Sequence, residues 1–243
     1  MSLDDGVVRV LFVHAHPDDE TLATGALIIE LVDRGVDVQL VTATRGERGD
    51  IVAEVFAHDP DPETLSAIRE GELSHASNIL GIGERYWLGA APARAPGSVT
   101  RRYLDSGMEW VGPGLAGPSP FVTSDALVSA PLDEVTNDLI ALIDAIRPSL
   151  VVSYDDAGGY GHPDHVRLHD ATLAACRATH ASFAEIVAAP GDGVEWFELA
   201  HRLPVVAAAL GAHASQVRVD GTDVVHSGGQ RHAIPASVGL RRA

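Results

Sequence analysis

The sequence predicts an α/β protein with a Rossmann-like, mostly parallel sheet flanked by helices, and three observations carry that prediction. Short β-branched and apolar runs alternate with helix-length stretches, two of those runs end in His-, Asp- and Gly-rich turns that lead into helices, and a strand, helix and strand open the chain. Strands buried on both faces of a parallel sheet read as continuous apolar runs. The crossover between two of them is right-handed almost without exception.

Val7 to His14 (VVRVLFVH) is the first strand. From Thr21 to Arg34, Leu22, Leu27, Ile28, Leu31 and Val32 fall at helical spacing, and Gly35 supplies a stop. Val36 to Thr44 (VDVQLVTAT) is the second strand, Leu65 to Leu80 a helix and Arg85 to Leu88 (RYWL) a short strand. The Gly/Pro-rich stretch 89–130 is too long for a plain connection, so it is expected to be a functional lid or disordered. Leu132 to Arg147 is a helix ended by Pro148, Leu150 to Tyr154 (LVVSY) a strand, and His165 to His180 a helix. Beyond it the signals weaken: Leu203 to His213 is helical, Gln216 to Val219 strand-like, and Gln230 to Ala243 unassigned. The expected organisation is a catalytic unit over 1–180 and a shortened C-terminal region over 181–243, a short appendage packing on the site.

Hydrophobic residues make up 46% and charged residues 21%, enough for a real core. The 34 acidic and 17 basic side chains give a formal charge of -17, which repels phosphate backbones and anionic headgroups. Neither nucleic acid nor a membrane surface is therefore an expected partner. Cys176 is the only cysteine, which excludes an internal disulfide and a cysteine-based zinc site. The opening Met-Ser-Leu-Asp-Asp lacks the features of a secretory leader, and no apolar run is long enough for a span, so a cytoplasmic location is expected. The oligomeric state is left open.

The chemistry concentrates in two clusters. His14-Ala-His16-Pro17-Asp18-Asp19-Glu20 follows the first strand, at the carboxyl edge where open α/β sheets bind ligands. His16 and Asp19, three residues apart across a turn, can share one metal. Asp18 beside them can act as general base towards a water. Gly158-Gly159-Tyr160-Gly161-His162-Pro163-Asp164-His165 follows the LVVSY strand, and His165 completes a His2Asp set with an open position, as in catalytic zinc sites. Either motif alone is also readable as a turn whose Asp caps the next helix. Two such motifs, each after a strand and before a helix, favour the metal.

HAHPDDETLATG and GGYGHPDH resemble the two signature motifs of the PIG-L (LmbE-like) N-acetylglucosaminyl deacetylases. The segment Thr44 to Asp50 (TRGERGD), the pair Arg69 and Glu72, and Leu104 to Met108 (LDSGM) are most similar to the family's mycothiol-pathway branch, which deacetylates N-acetylglucosaminyl-inositol. The resemblance runs over about residues 7–180, with a further patch at Ala207 to Val217 (AAALGAHASQV). It implies zinc-dependent hydrolysis of an N-acetyl sugar, with zinc on His16, Asp19 and His165 and Asp18 as general base. Iron is a second candidate metal, because His2Asp suits several divalent ions. The resemblance also implies that Tyr160 helps bind the tetrahedral oxyanion and that His162, tuned by Asp164, is electrostatic stabiliser or general acid. Arg69, Asp105 and Asp50 would contact the sugar and inositol, with Asp50 standing where relatives carry Glu.

His14 reads as a packing or supporting histidine, and His213, His226 and His232 as surface or pocket-rim groups. Of Trp87, Trp110 and Trp196, Trp110 is the one placed to stack on a sugar. Three alternatives stand beside the deacetylase reading: a mycothiol S-conjugate amidase, a deacetylase of another N-acetyl sugar or glycosylated natural product, and a metal-binding but inactive relative. A dinucleotide site is disfavoured, since no G-x-G-x-x-G follows the first strand.

Overall fold

The computed structural model describes residues 6–243; the opening Met-Ser-Leu-Asp-Asp lies outside them. Strand β1 (Arg9–His14), helix α1 (Asp19–Asp33) and strand β2 (Asp37–Thr42) form the expected parallel unit, and helix α2 (Pro62–Leu80) leads to β3 (Glu84–Trp87) on the same side. Asp61 caps α2 by accepting from the backbone N–H groups of Glu63 and Thr64, each at 3.0 Å, with Pro62 in the first turn. The hairpin β4 (Met108–Gly112) and β5 (Leu115–Pro118) and helix α3 (Leu132–Ile146) follow. Strand β6 (Leu150–Ser153) then pairs with the other edge of β1. The short turn α4 (Gly158–Gly161) and helix α5 (Pro163–Thr179) lead to β7 (Phe183–Val187), β8 (Val194–Glu198) and helix α6 (Leu203–Ala212). A small antiparallel sheet, β9 (Val217–Asp220), β10 (Asp223–His226) and β11 (Arg231–Ala233), precedes β12 (Ser237–Arg242).

The main sheet has the order β3-β2-β1-β6-β7-β12-β8, parallel through β7 and antiparallel at β12. Side chains alternate across its pleat. Val10 and Phe12 of β1 join one core with Leu27 and Ile28 of α1, Leu73 of α2 and Val206 of α6. Leu11 and Val13 join the other with Leu139 of α3 and Leu168 of α5. The chain leaves β1 towards β2 on one side and returns through β6 on the other, so the switch point lies between the carboxyl ends of β1 and β6. Both His-Pro-Asp motifs emerge there.

Residues 181–243 differ from the expected appendage. Strands β7, β8 and β12 belong to the main sheet, and Phe197, Val238 and Leu240 share the core with α1, α2 and α6. The weak signal has a physical cause: Glu185 interrupts the apolar run of β7. The carboxylate is buried, accepting from Arg241 Nε at 2.8 Å and lying 3.2 Å from His169 Nε2.

The stretch 89–130 is tied down rather than loose. Asp138 of α3 is wholly buried and accepts from Tyr103 Oη (2.8 Å), Arg94 Nη1 (3.0 Å) and the backbone N–H of Ala95 (2.8 Å). Replacing Asp138 by Asn removes the charge that serves Arg94 and an acceptor for the other donors. We expect Asp138→Asn to cost about 2 kcal/mol of stability, read as a lower urea midpoint with an unchanged slope.

Candidate metal centre and active site

Asp18 precedes α1 with φ 104° and ψ -31°, a backbone geometry that an L-residue with a β-carbon occupies only under constraint. The constraint is visible: the backbone N–H of Asp18 donates to Glu20 Oε2 at 3.0 Å, and its carbonyl accepts from Thr21 and Leu22. Glu20 is wholly buried and is fixed in turn by His213, whose Nε2 lies 2.8 Å from Glu20 Oε1, and by the Thr21 hydroxyl. His213, expected at a pocket rim, is thus wholly buried at the end of α6. Its ring nitrogens are taken up by Glu20 and by Gln216, 3.3 Å from Nδ1.

The turn carries His16 and Asp19 onto one point. Asp19 Oδ2 accepts from the backbone N–H of His16 at 2.9 Å and lies 3.2 Å from His16 Nδ1. From the second motif, His165 Nε2 comes within 3.3 Å of the same oxygen. The tautomers follow from the partners. His165 Nδ1 faces the carbonyl of Gly158 at 3.2 Å, so that nitrogen carries the proton and Nε2 holds a lone pair. That Nε2 is buried and makes no hydrogen bond among the described residues. His16 Nε2 lies 3.2 Å from Asp164 Oδ2 and donates there, which leaves the lone pair of Nδ1 turned towards Asp19. Two imidazole lone pairs and a carboxylate oxygen converging in a buried place are satisfied by a cation, so the residues fit a divalent metal. Among the described residues, the triads whose ligand atoms all lie within 4.8 Å of one another are different ones: His16, His162 and His165, and His16, Asp105 and Asp164. They fit less well. His162 Nδ1 accepts from the backbone N–H of Asp164 (3.2 Å), Asp164 accepts from Ser106 N–H (3.0 Å) and its hydroxyl, and Asp105 accepts from Gly107 N–H (2.8 Å) and Arg48 N–H (3.2 Å).

The remaining expected residues divide. Asp18 is half-buried, and its carboxylate accepts no side-chain hydrogen bond among the described residues. Burial, and then the neighbouring charge of Asp19, push its pKa up to about 8 in the metal-free protein. His162 caps α5 through Nδ1, so Nε2 carries its proton; burial, then His16 and His165, lower its pKa to about 3 and keep the ring a neutral donor. The Asp164 carboxylate falls on His16 and Ser106, and only its backbone N–H reaches His162. Tyr160 stands edge-on to His165, with ring centroids 5.3 Å apart, and burial and then Asp19 raise its pKa. Trp110 lies 5.9 Å from Tyr160 and is 51% exposed, whereas Trp87 is covered by the Arg45 guanidinium and Trp196 donates to Glu198. Gly161, at φ 91°, lets the hairpin approach: a β-carbon there would sit 2.7 Å from the carbonyl oxygen of Ala116.

Arg69 is 1% exposed. Its guanidinium donates to the carbonyls of Gly46, Gly49 (3.1 Å) and Asp50 (3.0 Å) and so shapes the 46–50 loop. Glu72 holds the neighbouring Ser215 through its N–H (2.8 Å) and hydroxyl (2.6 Å). Asp50 is exposed and lines an open cavity of about 470 Å³ with Glu47, Arg48 and Asp59. Asp105 is buried behind that loop, 3.7 Å from His16 Nε2. Residues that the sequence did not single out are Tyr154, bound to Asp19, and Ser106, bound to Asp164.

Fold and site define an α/β protein with a buried His/Asp cluster that could hold a metal ion at its switch point. Residues 11–176 match the family model described as PIG-L, GlcNAc-PI de-N-acetylase, and the chain belongs to that family. It is 42% identical over 185 residues to the 1D-myo-inositol 2-acetamido-2-deoxy-alpha-D-glucopyranoside deacetylase of Kineococcus radiotolerans, covering 76% of this chain and 46% of that protein. The chain thus spans about half the length of the curated relatives it matches. Among solved structures it resembles the N,N'-diacetylchitobiose deacetylase of Pyrococcus horikoshii (TM-score 0.60, 20% identity, 88% of this chain and 73% of that one). It likewise resembles a teicoplanin deacetylase (TM-score 0.61, 17% identity, 97% and 99%). Among the described residues no helix is long and apolar enough to cross a membrane.

Proposed function

We propose that the chain is a zinc-dependent amide hydrolase that removes the acetyl group from an N-acetylglucosaminyl substrate, with N-acetylglucosaminyl-inositol as the favoured one. The observation that carries this reading is the unpartnered carboxylate of Asp18, held in a constrained backbone beside the convergent lone pairs of His16 and His165. The 42% identity to a deacetylase named for that substrate supports the choice of sugar. When bound, zinc supplies Lewis acidity: it acidifies water and polarises a carbonyl.

His16, Asp19 and His165 would hold the ion, with Asp164 fixing the tautomer of His16. Asp18 takes the proton of the attacking water and returns it to the departing amine, a role suited to a carboxylate raised towards neutrality. His162, neutral and with Nε2–H available, and the Tyr160 hydroxyl donate to the oxyanion. The 46–50 loop and Asp105 orient the sugar and its aglycone, and Trp110 offers a face for stacking.

The test is acetate release from N-acetylglucosaminyl-inositol by zinc-loaded and chelated protein. Turnover with zinc, lost on chelation and restored by readdition, is expected. Zinc binding without turnover on that substrate, on a mycothiol S-conjugate or on other N-acetyl sugars would overturn the reading in favour of an inactive relative. A further prediction concerns Arg69. Lysine is a point charge and cannot bridge three carbonyls. Arg69→Lys should raise KM about tenfold, a loss of about 1.4 kcal/mol of substrate binding, and leave kcat largely intact in steady-state kinetics.

A further inference from the structure

Tyr154 has no role in the scheme above, yet it touches two of the three groups that would hold the metal. It is 5% exposed. Its hydroxyl donates to Asp19 Oδ2 at 2.8 Å and accepts from the backbone N–H of Ala15 at 2.8 Å. Its ring lies flat against His165, with centroids 3.9 Å apart and planes 8° from parallel.

The direction of the phenol proton follows from its neighbours. Thr24 gives its own hydroxyl proton to the Glu20 carbonyl at 2.9 Å, so it accepts from His14 Nε2–H at 3.0 Å. His14 Nδ1 is then a lone pair, 3.3 Å from the Tyr154 oxygen, and donates nothing to it. The phenol proton has a nearer and negatively charged acceptor in Asp19, and it goes there. His14 thus supports the site from behind.

We infer that Tyr154 is a positioning residue of the metal centre, its hydroxyl fixing the carboxylate of Asp19 and its ring fixing the plane of His165. A carboxylate at the start of a helix can swing about its terminal torsion, and an imidazole can rotate about its own. Each must be stopped before both point at one ion, and ordering them in advance removes that cost from binding. One side chain stops both. The inference rests on His16, Asp19 and His165 being the ligands.

The experiment titrates metal-free protein with zinc against a competing chelator, for the wild type, Tyr154→Phe and Tyr154→Leu. The Phe variant keeps a ring for the stack and loses the hydroxyl, so its affinity should fall about 10- to 100-fold. The Leu variant, which loses both contacts, should fall further, and the visible spectrum of the cobalt-loaded Phe protein should shift from that of the wild type. Phe and wild-type proteins with the same affinity and the same cobalt spectrum would overturn the inference. Wild-type protein that binds no zinc would instead overturn the metal reading itself. Both variants orphan the Ala15 N–H and should melt lower, so affinity is measured well below either transition. A readout that does not depend on these variants uses Tyr160→Phe, where Tyr154 is the one tyrosine left at the site. Zinc should perturb the near-ultraviolet tyrosine absorption of that protein, and a flat difference spectrum would count against Tyr154.

Discussion

Asp18→Asn should reduce kcat by about 10²- to 10⁴-fold while zinc binding survives, because the amide keeps the shape of the side chain and loses only its capacity to take a proton. The loss corresponds to about 3 to 5 kcal/mol of transition-state stabilisation. The same substitution should stabilise the metal-free protein. The folded pKa of Asp18, about 8, lies above its ordinary value of 3.8. A group raised on folding contributes its stability below the ordinary value and loses it as pH rises through the folded one. Metal-free wild type is therefore penalised increasingly from about pH 4 to 8 by having to ionise a crowded carboxylate, and the amide escapes that penalty. At pH 8 we expect the melting temperature of metal-free Asp18→Asn to exceed that of metal-free wild type by about 5 °C. Equal melting temperatures would show that Asp18 is not held against its charge.

His213→Leu should be the most damaging single change away from the metal. Glu20 and His213 are both wholly buried and 2.8 Å apart. Burial opposes the charge on Glu20, yet His213 holds its pKa below the ordinary 4.5; burial likewise opposes the charge on His213, yet Glu20 holds it above 6.5. The Glu20 contribution is complete above 4.5 and fades as pH falls through the lowered value. The His213 contribution is complete below 6.5 and fades as pH rises through the raised one. The pair is at full strength between those limits. Removing His213 leaves a buried carboxylate without its cation, at a cost of about 3 to 5 kcal/mol at neutral pH. Chemical denaturation would measure it, and the deficit should shrink at pH 5, where the orphaned Glu20 protonates. The double variant Glu20→Leu/His213→Leu should recover much of that stability and none of the activity, because Asp18 has lost the acceptor for its backbone N–H.

Much of this was legible in the sequence because it is written locally. β1, β2 and β6 announce themselves as apolar runs, and His16, Asp18 and Asp19 share one turn, so their convergence with the second motif follows from where open sheets bind ligands. What escaped depends on residues far apart in the chain. The three loop carbonyls that accept from Arg69 are brought to it by folding and leave no local signal. His213 has no metal-like spacing and so passed as a surface group, although its partner lies 193 residues away. Tyr154 closes an apolar run and reads as one more core aromatic. β7 and β8 were missed because charged residues stand in their five-residue runs, and only the partners across the sheet explain why those charges are tolerated.

Strand β12 lies between β7 and β8 and is hydrogen-bonded to both. Neither earlier strand has that neighbour until residues 237–242 have been made, and the Glu20 to His213 contact spans 193 residues. The order of assembly follows from this. The N-terminal strands and their helices can collapse early through nearby contacts, whereas the turn that bears Asp18 is held in its strained shape only once α6 brings His213 to Glu20. During synthesis the histidines and aspartates of the two motifs would stay a loose set until His213 has been made and can reach Glu20.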